Sequence, residues 1–234
     1  MLFNIRKYSV LFILVIVLII FSCKKDKSLD NSIDYSYFPD IIGTWVEYDI
    51  TKIHIDDPSA IYDTVKYMIR EIIESKYTDT TGNEVMRVER YIKYSDTTAW
   101  IIKDVWTAQF LNASLHKTEE NIKYIKIAFP AKIDKEWNGN AYNIYDSQIY
   151  EITELDKDEI INSFNFDSVL TVTQINDSSL IHKNYAIEKF AKNIGLVYRH
   201  STEIESDITI QSIPIEERIT TGDIYIQEVI NFGN

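Results

Sequence analysis

Between residues 84 and 94 apolar and polar side chains alternate. Met86, Val88, Ile92 and Tyr94 fall on one side of an extended backbone, with Arg87, Glu89 and Lys93 on the other, and Arg90 interrupts the apolar row. A period of two marks a strand with one wet face. Near the end of the chain Ile224, Ile226, Ile230 and Phe232 alternate with Tyr225, Gln227, Val229 and Asn231, and Glu228 is the misfit. Similar patterning predicts strands over 45–55, 64–73, 98–106, 122–129, 150–155, 169–175, 185–190, 196–203 and 208–213. The second of these stays open between strand and helix, because Met68, Ile69, Ile72 and Ile73 also satisfy helical spacing. Turns are predicted at 79–83, 138–140, 176–178 and 221–223, where Gly, Asn or Asp tolerate positive φ. Residues 156–163, with Asp158 and Glu159 in the first turn, read as a short helix. Together these elements predict an all-β fold: an antiparallel meander forming a half-barrel, a lipocalin-like barrel or a sandwich, with at most one or two short helices.

One stretch does not alternate. Residues 10–21 are twelve consecutive apolar positions preceded by Arg6 and Lys7, the layout of a secretory signal. As a helix they would span roughly 18 Å, short of the ~30 Å hydrocarbon core of a bilayer. Counting Tyr8, Ser9 and Ser22 lengthens the run, which leaves an uncleaved anchor as the rival reading. The run ends in Ile20-Phe21-Ser22-Cys23, which resembles the bacterial lipobox, with an aliphatic residue at minus three and a small one at minus one. The bulky Phe21 departs from the usual pattern at the most tolerant position. The resemblance implies cleavage before Cys23 and acylation of its sulfur and new N-terminus. Cys23 is the only cysteine, so no intramolecular disulfide exists, and lipidation accounts for a lone thiol in an exported chain. More than one acyl chain makes attachment stable. Lys24 at plus two, in place of an inner-membrane retention aspartate, favours the outer membrane by analogy. The expected organisation is a signal peptide over 1–22, a lipidated tether over 23–37 and one β-rich domain over 38–234. The flexible part of that tether has a reach of roughly 20 Å.

Composition adjusts the picture in two ways. The 40 Ile and 16 Tyr against 9 Ala favour a pleated, half-buried surface over helix. Removing residues 1–22 takes away two of the 24 basic residues and no acid, so 22 remain against 36 acids and the mature net charge is -14. Such a surface repels nucleic acid and anionic membrane. The six Gly are scattered, so there is no phosphate-cradling loop, and no Gly-x-Ser-x-Gly elbow occurs. The four His, at 54, 116, 182 and 200, form no short-spaced pair. The clusters His54/Asp56/Asp57 and Asp156/Asp158/Glu159 lack the glycine of a calcium loop. No metal and no cofactor is therefore expected.

Tyr37-Phe38-Pro39 followed by Gly43-Thr44-Trp45-Val46-Glu47-Tyr48 resembles the opening of a group of uncharacterised exported lipoproteins of Bacteroidota. Trp137-Asn138-Gly139-Asn140 and Ile194-Gly195-Leu196-Val197-Tyr198 are further echoes. The resemblance implies architecture and an exported location, and brings no activity. It also directs attention to Asp-(Ser/Thr)-x sites of O-glycosylation, of which Thr64, Thr80, Thr97 and Ser168 are candidates. For ligand binding the candidates are Trp100 and Trp106, whose row also carries Asp104, although such a row also suits sheet core. The expected function is a membrane-anchored envelope lipoprotein whose noncatalytic domain binds a hydrophobic molecule, a glycan or an envelope protein. The alternative is a glycan-acting envelope hydrolase with a carboxylate site that sequence does not reveal. An apolar concavity lined by Trp and Tyr would favour the first, and acids converging in a cleft the second.

Overall fold

The computed structural model describes residues 33–210 and 212–234. The signal segment, Cys23 and the tether as far as residue 32 lie outside the described residues. Twelve antiparallel strands form one sheet that curls into a nearly closed barrel. They are β1 (Trp45–Asp56), β2 (Ile61–Thr78), β3 (Glu84–Lys93), β4 (Ile101–Leu111), β5 (Ser114–Glu119), β6 (Ile122–Ala128), β7 (Glu136–Asn138), β8 (Ile149–Ile161), β9 (Phe164–Ser178), β10 (His182–Ala191), β11 (Gly195–Glu205) and β12 (Thr221–Gly233). Among the described residues the helical content is two three-residue 3-10 turns, Asp57–Ser59 and Ile215–Glu217.

The order across the sheet is β6-β5-β4-β3-β2-β1-β12-β11-β10-β9-β8-β7. Two six-stranded meanders thus run outward from a central seam, where β1 pairs with β12 from Trp45 opposite Gly233 to Asp56 opposite Thr221. The outer edges meet without a regular ladder. Ile125 N–H donates to Gly139 O (2.9 Å), Trp137 Nε1 donates to Ile125 O (2.9 Å) and Asn143 Nδ2 donates to Lys123 O (3.0 Å), so side chains do part of the work of a twelfth pairing. A substantial apolar core bridges the halves. It includes Val88, Leu115 and Ile127 from one meander and Ile152, Leu170 and Val172 from the other. Burying each of these side chains stabilises by roughly 1.5–3 kcal/mol.

Several sequence expectations are met. Met86, Val88 and Ile92 are buried along β3, and the turns at 79–83 and 138–140 are present. In the ambiguous segment the strand prevails: Ile69, Glu71 and Ile73 are buried on alternate positions, while Met68 and Ile72 are only half-buried. Others are corrected. Residues 156–163 form no helix but the bulged end of β8 and its turn into β9; the register shifts repeatedly, and Asp156 sits at φ +53, outside the helical region. The described residues among 208–213 form no strand. Two of their carbonyls accept from Arg218, whose guanidinium donates to Ile213 O (2.9 Å), Ile208 O and, on the neighbouring loop, Leu180 O (2.6 Å). Residues 176–178 continue β9 and residues 221–223 open β12. Gly222 is required there, because a Cβ would lie 2.2 Å from Glu203 O. In β12 the buried row is Gln227 and Val229, with the isoleucines half-buried on the other side. Ordered structure also begins before residue 38: Tyr37 is 2% exposed, and its hydroxyl donates to Asp156 Oδ1 at 2.7 Å.

Candidate functional site

Strands β2 to β6 turn a run of charged residues into the barrel because side chains alternate across the sheet. Leu115, Lys117 and Glu119 occupy every second position of β5, all buried, as are Val88 and Arg90 on β3. Once inside, these groups pair with their sheet neighbours and, in three cases, with strands that are not sheet neighbours, which places those contacts in the lumen. Lys117 of β5 reaches Glu71 of β2 at 2.8 Å, and Lys126 of β6 reaches Glu188 of β10 at 2.7 Å. Arg199 of β11 lies 3.1 Å from Glu119 of β5 and 2.9 Å from Glu188. Arg90 joins Glu71 to Asp104, each at 3.0 Å, and Lys126 reaches Glu119 at 3.2 Å. The result is one continuous network of four carboxylates (Glu71, Asp104, Glu119, Glu188) and four cations (Arg90, Lys117, Lys126, Arg199). Unpaired, any one of these charges would be costly to bury; within the network each has a partner of opposite sign.

The network sets the ionisation of its members. Burial alone raises the Glu71 carboxyl, but Lys117 and Arg90 outweigh it and hold the group below its ordinary range. For Glu119 burial is again opposed, by Arg199, Lys126 and Lys117, and again the carboxyl is held low. Burial weakens the Arg90 cation, yet Glu71 and Asp104 reverse that and hold its pKa above the usual value. Burial, first of all, raises the Tyr150 and Tyr225 hydroxyls, so both stay protonated donors.

Above the network lies a cavity of about 540 Å³, within the range of small-molecule sites. Trp106, Tyr124, Tyr150, Gln174 and Tyr225 line it, and Lys52, Glu120 and Tyr145, all exposed, form its rim. Trp106 is 7% exposed and Gln174 8% exposed. Trp106 Nε1 and Gln174 Nε2 have no hydrogen-bond partner among the described residues, nor does Glu188 Oε2. The Trp106 ring itself is covered by Arg90, whose guanidinium carbon lies 3.4 Å from the ring centre, with Lys117 at 4.7 Å. Trp106 therefore presents no open face, and its Nε1 is enclosed without a partner among the described residues.

Of the sequence candidates, Trp106 is in the lumen and Trp100 is not. Trp100 precedes β4 and stacks beneath Arg70, 4.8 Å from its guanidinium carbon, which also lies 5.3 Å from Trp45. Arg70 pairs with Glu47 in turn. Thr80 and Thr97 sit exposed in turns, Thr64 is exposed within β2 and Ser168 is half-buried in β9. The acidic clusters are spent on their own neighbours. His54 Nδ1 meets Asp223 at 2.9 Å, Asp156 meets Lys192 at 2.7 Å and Glu159 meets Lys189 at 2.7 Å. Among the described residues no group of three metal-ligating side chains converges.

The lumen residues that sequence reasoning did not single out are Glu71, Lys117, Glu119, Lys126, Glu188 and Arg199. Two traces were visible: Arg90 breaking the apolar row of β3, and Asp104 sharing a row with Trp106. Both misfits point at the network.

No family model matches the chain, and no curated protein does. Two solved structures are similar over 83% of this chain and 98% of their own. One is a Bacteroides fragilis protein described as exported, with a YmcC-like fold, at a TM-score of 0.44 and 8% identity. The other is a protein of Parabacteroides distasonis described as a lipoprotein, at a TM-score of 0.38 and 13% identity.

A second cavity, about 570 Å³, lies at the opposite end, where Ile33 enters the fold. Phe38, Trp45, Phe110, Ile194 and Phe232 line it, and its one charged side chain, Asp40, faces Lys76 at 3.5 Å. Its lining is mainly aromatic and aliphatic, with Ser36, Thr44 and Asn193 as polar members and Ser36 Oγ buried without a partner among the described residues.

Proposed function

We propose that the protein is a cell-envelope lipoprotein, held to a membrane through Cys23, whose barrel is a noncatalytic binding domain for a polar small molecule. The observation that carries this reading is the lumen cavity with its two deeply buried, unpartnered N–H donors, Trp106 Nε1 and Gln174 Nε2. A buried donor without an acceptor costs about 1–3 kcal/mol, which a ligand oxygen recovers. The hydrolase alternative needs a carboxylic acid kept protonated near neutral pH, and Glu71 and Glu119 are driven the other way by their cations. The lipobox supplies the address. Exposure in turns makes Thr80 and Thr97 the better placed of the glycosylation candidates.

Native mass spectrometry of the protein purified from its own envelope tests the reading directly. The expected result is acyl mass on Cys23 and a retained non-covalent small molecule. Retention of Met1 at the N-terminus, or the absence of acyl mass, overturns the anchoring, and Cys23→Ser is expected to release the protein from the membrane fraction. Turnover of a glycan by the purified protein, abolished by Glu119→Gln, overturns the noncatalytic assignment.

A further inference from the structure

Resting on the lumen as the binding site, we propose that its ligand is an acidic saccharide whose carboxylate is taken by Lys52 and whose hydroxyl and ring oxygens accept from Trp106 Nε1 and Gln174 Nε2. The charge follows from a local balance. Inside the barrel four carboxylates face four cations, and at the rim Lys103 faces Glu120 at 3.5 Å. Lys52 is left over. It lines the cavity and makes no ion pair among the described residues; its ammonium lies 5.9 Å from the Tyr67 ring centre and 5.6 Å from that of Tyr225. Two aromatic faces hold a cation in place without neutralising it. In a chain of net charge -12, an unpaired lysine above a self-neutral lumen is a local attraction for one negative charge, although the hollow on its other side carries Asp63, Glu203 and Asp223.

The deeper wall specifies oxygen-rich chemistry. Trp106 Nε1 and Gln174 Nε2 are N–H donors that need acceptors, and an aliphatic chain offers none. The hydroxyls of Tyr124 and Tyr150 both donate and accept, and that of Tyr225, whose proton goes to Gln227 Oε1, accepts, which matches sugar hydroxyls. A fatty acid would satisfy Lys52 alone and leave the wall unpaired. A neutral sugar would satisfy the wall and leave Lys52 without a partner.

Calorimetric titration of the full mature protein in detergent with trigalacturonate, maltotriose and laurate separates these cases. Trigalacturonate is expected to bind at least about tenfold more tightly than either control. Lys52→Gln is expected to reduce its advantage over maltotriose to less than about twofold, and Gln174→Leu to weaken both sugars. Circular dichroism and urea midpoints of both variants report whether the fold is retained; Lys52 is exposed, so Lys52→Gln is expected to leave them unchanged. Maltotriose or laurate binding as tightly as trigalacturonate, an undiminished preference in Lys52→Gln, or no binding of trigalacturonate overturns the inference. An apolar or neutral molecule retained in the native mass spectrum overturns it as well, while leaving the binding barrel standing.

Discussion

Replacing Glu188 by Gln removes one charge from the middle of the barrel with almost no change of shape. Glu188 is fully buried and faces Lys126 at 2.7 Å and Arg199 at 2.9 Å. Without it both cations fall back on Glu119, at 3.2 and 3.1 Å. Removing one partner of a buried pair costs about 3–5 kcal/mol, and the remaining carboxylate puts this variant at the low end, about 3 kcal/mol. With a urea slope of about 2 kcal/mol/M, the unfolding midpoint is expected to drop by about 1.5 M. The melting temperature should fall by roughly 6–12 °C. Tryptophan fluorescence reads the transition, because Trp106 lies against the network. The double variant Glu188→Leu/Lys126→Met removes one charge of each sign and leaves Arg199 on Glu119, so it should recover to within about 1 kcal/mol of the parent. A shift below about 0.5 M in the single variant, or a double variant as unstable as the single, would refute the buried-network account.

Other perturbations probe separate parts of the fold. His116 is 1% exposed, and burial, helped by Lys123, lowers its pKa to about 4. The unfolded chain therefore takes up this proton first, so stability is full above pH 6.5 and falls by up to about 3 kcal/mol as pH drops to 4; His116→Gln should flatten that part of a pH series of urea midpoints. Below the ordinary carboxylate range the depressed Glu71 and Glu119 act in the same direction, their stabilisation being present above about pH 4.5 and lost as acid protonates them, so cooperative acid unfolding is expected in fluorescence. Gly222→Ala places a methyl group against Glu203 O at φ +144 and should cost about 3 kcal/mol or more by urea titration. Arg218→Met frees the Leu180, Ile208 and Ile213 carbonyls, and hydrogen exchange should quicken in residues 178–182 and 206–215 with little change in β1 to β4.

The parts of the fold legible in the sequence are those where one face meets apolar core. In β3 the alternation of Met86, Val88 and Ile92 marks both strand and buried side, and the sum of such stretches suffices for an all-β meander. The site was largely hidden because the barrel reverses the usual meaning of charge. Lys117, Glu119 and Lys126 read as solvated positions, so β5 carries no apolar signal beyond Leu115. Its hairpins add none, since both two-residue turns place non-glycine residues at positive φ: Asn112 and Ala113, then Glu120 and Asn121. The misread helix at 156–163 has a local cause too. Asp158 and Glu159 look like first-turn acids, but Glu159 is engaged by Lys189 and Asp156 by Lys192 and Tyr37, contacts across strands that local propensity does not encode. In β12 the apolar count favours the isoleucine row, whereas the buried position goes to Gln227, whose Oε1 accepts from Tyr225 OH at 2.7 Å and whose Nε2 has no partner among the described residues.

The pairing of β1 with β12 has a consequence for how the chain reaches this structure. Every other long pairing joins consecutive strands, so each meander can zip up locally, whereas this one must bring together residues as far apart as Trp45 and Gly233. Closing so large a loop is entropically the last and slowest contact to form. A circular permutant that links Gly233 to Trp45 through a short spacer and opens the chain within 131–135 would convert that distant partner into a hairpin, and should refold faster than the parent while keeping the same sheet.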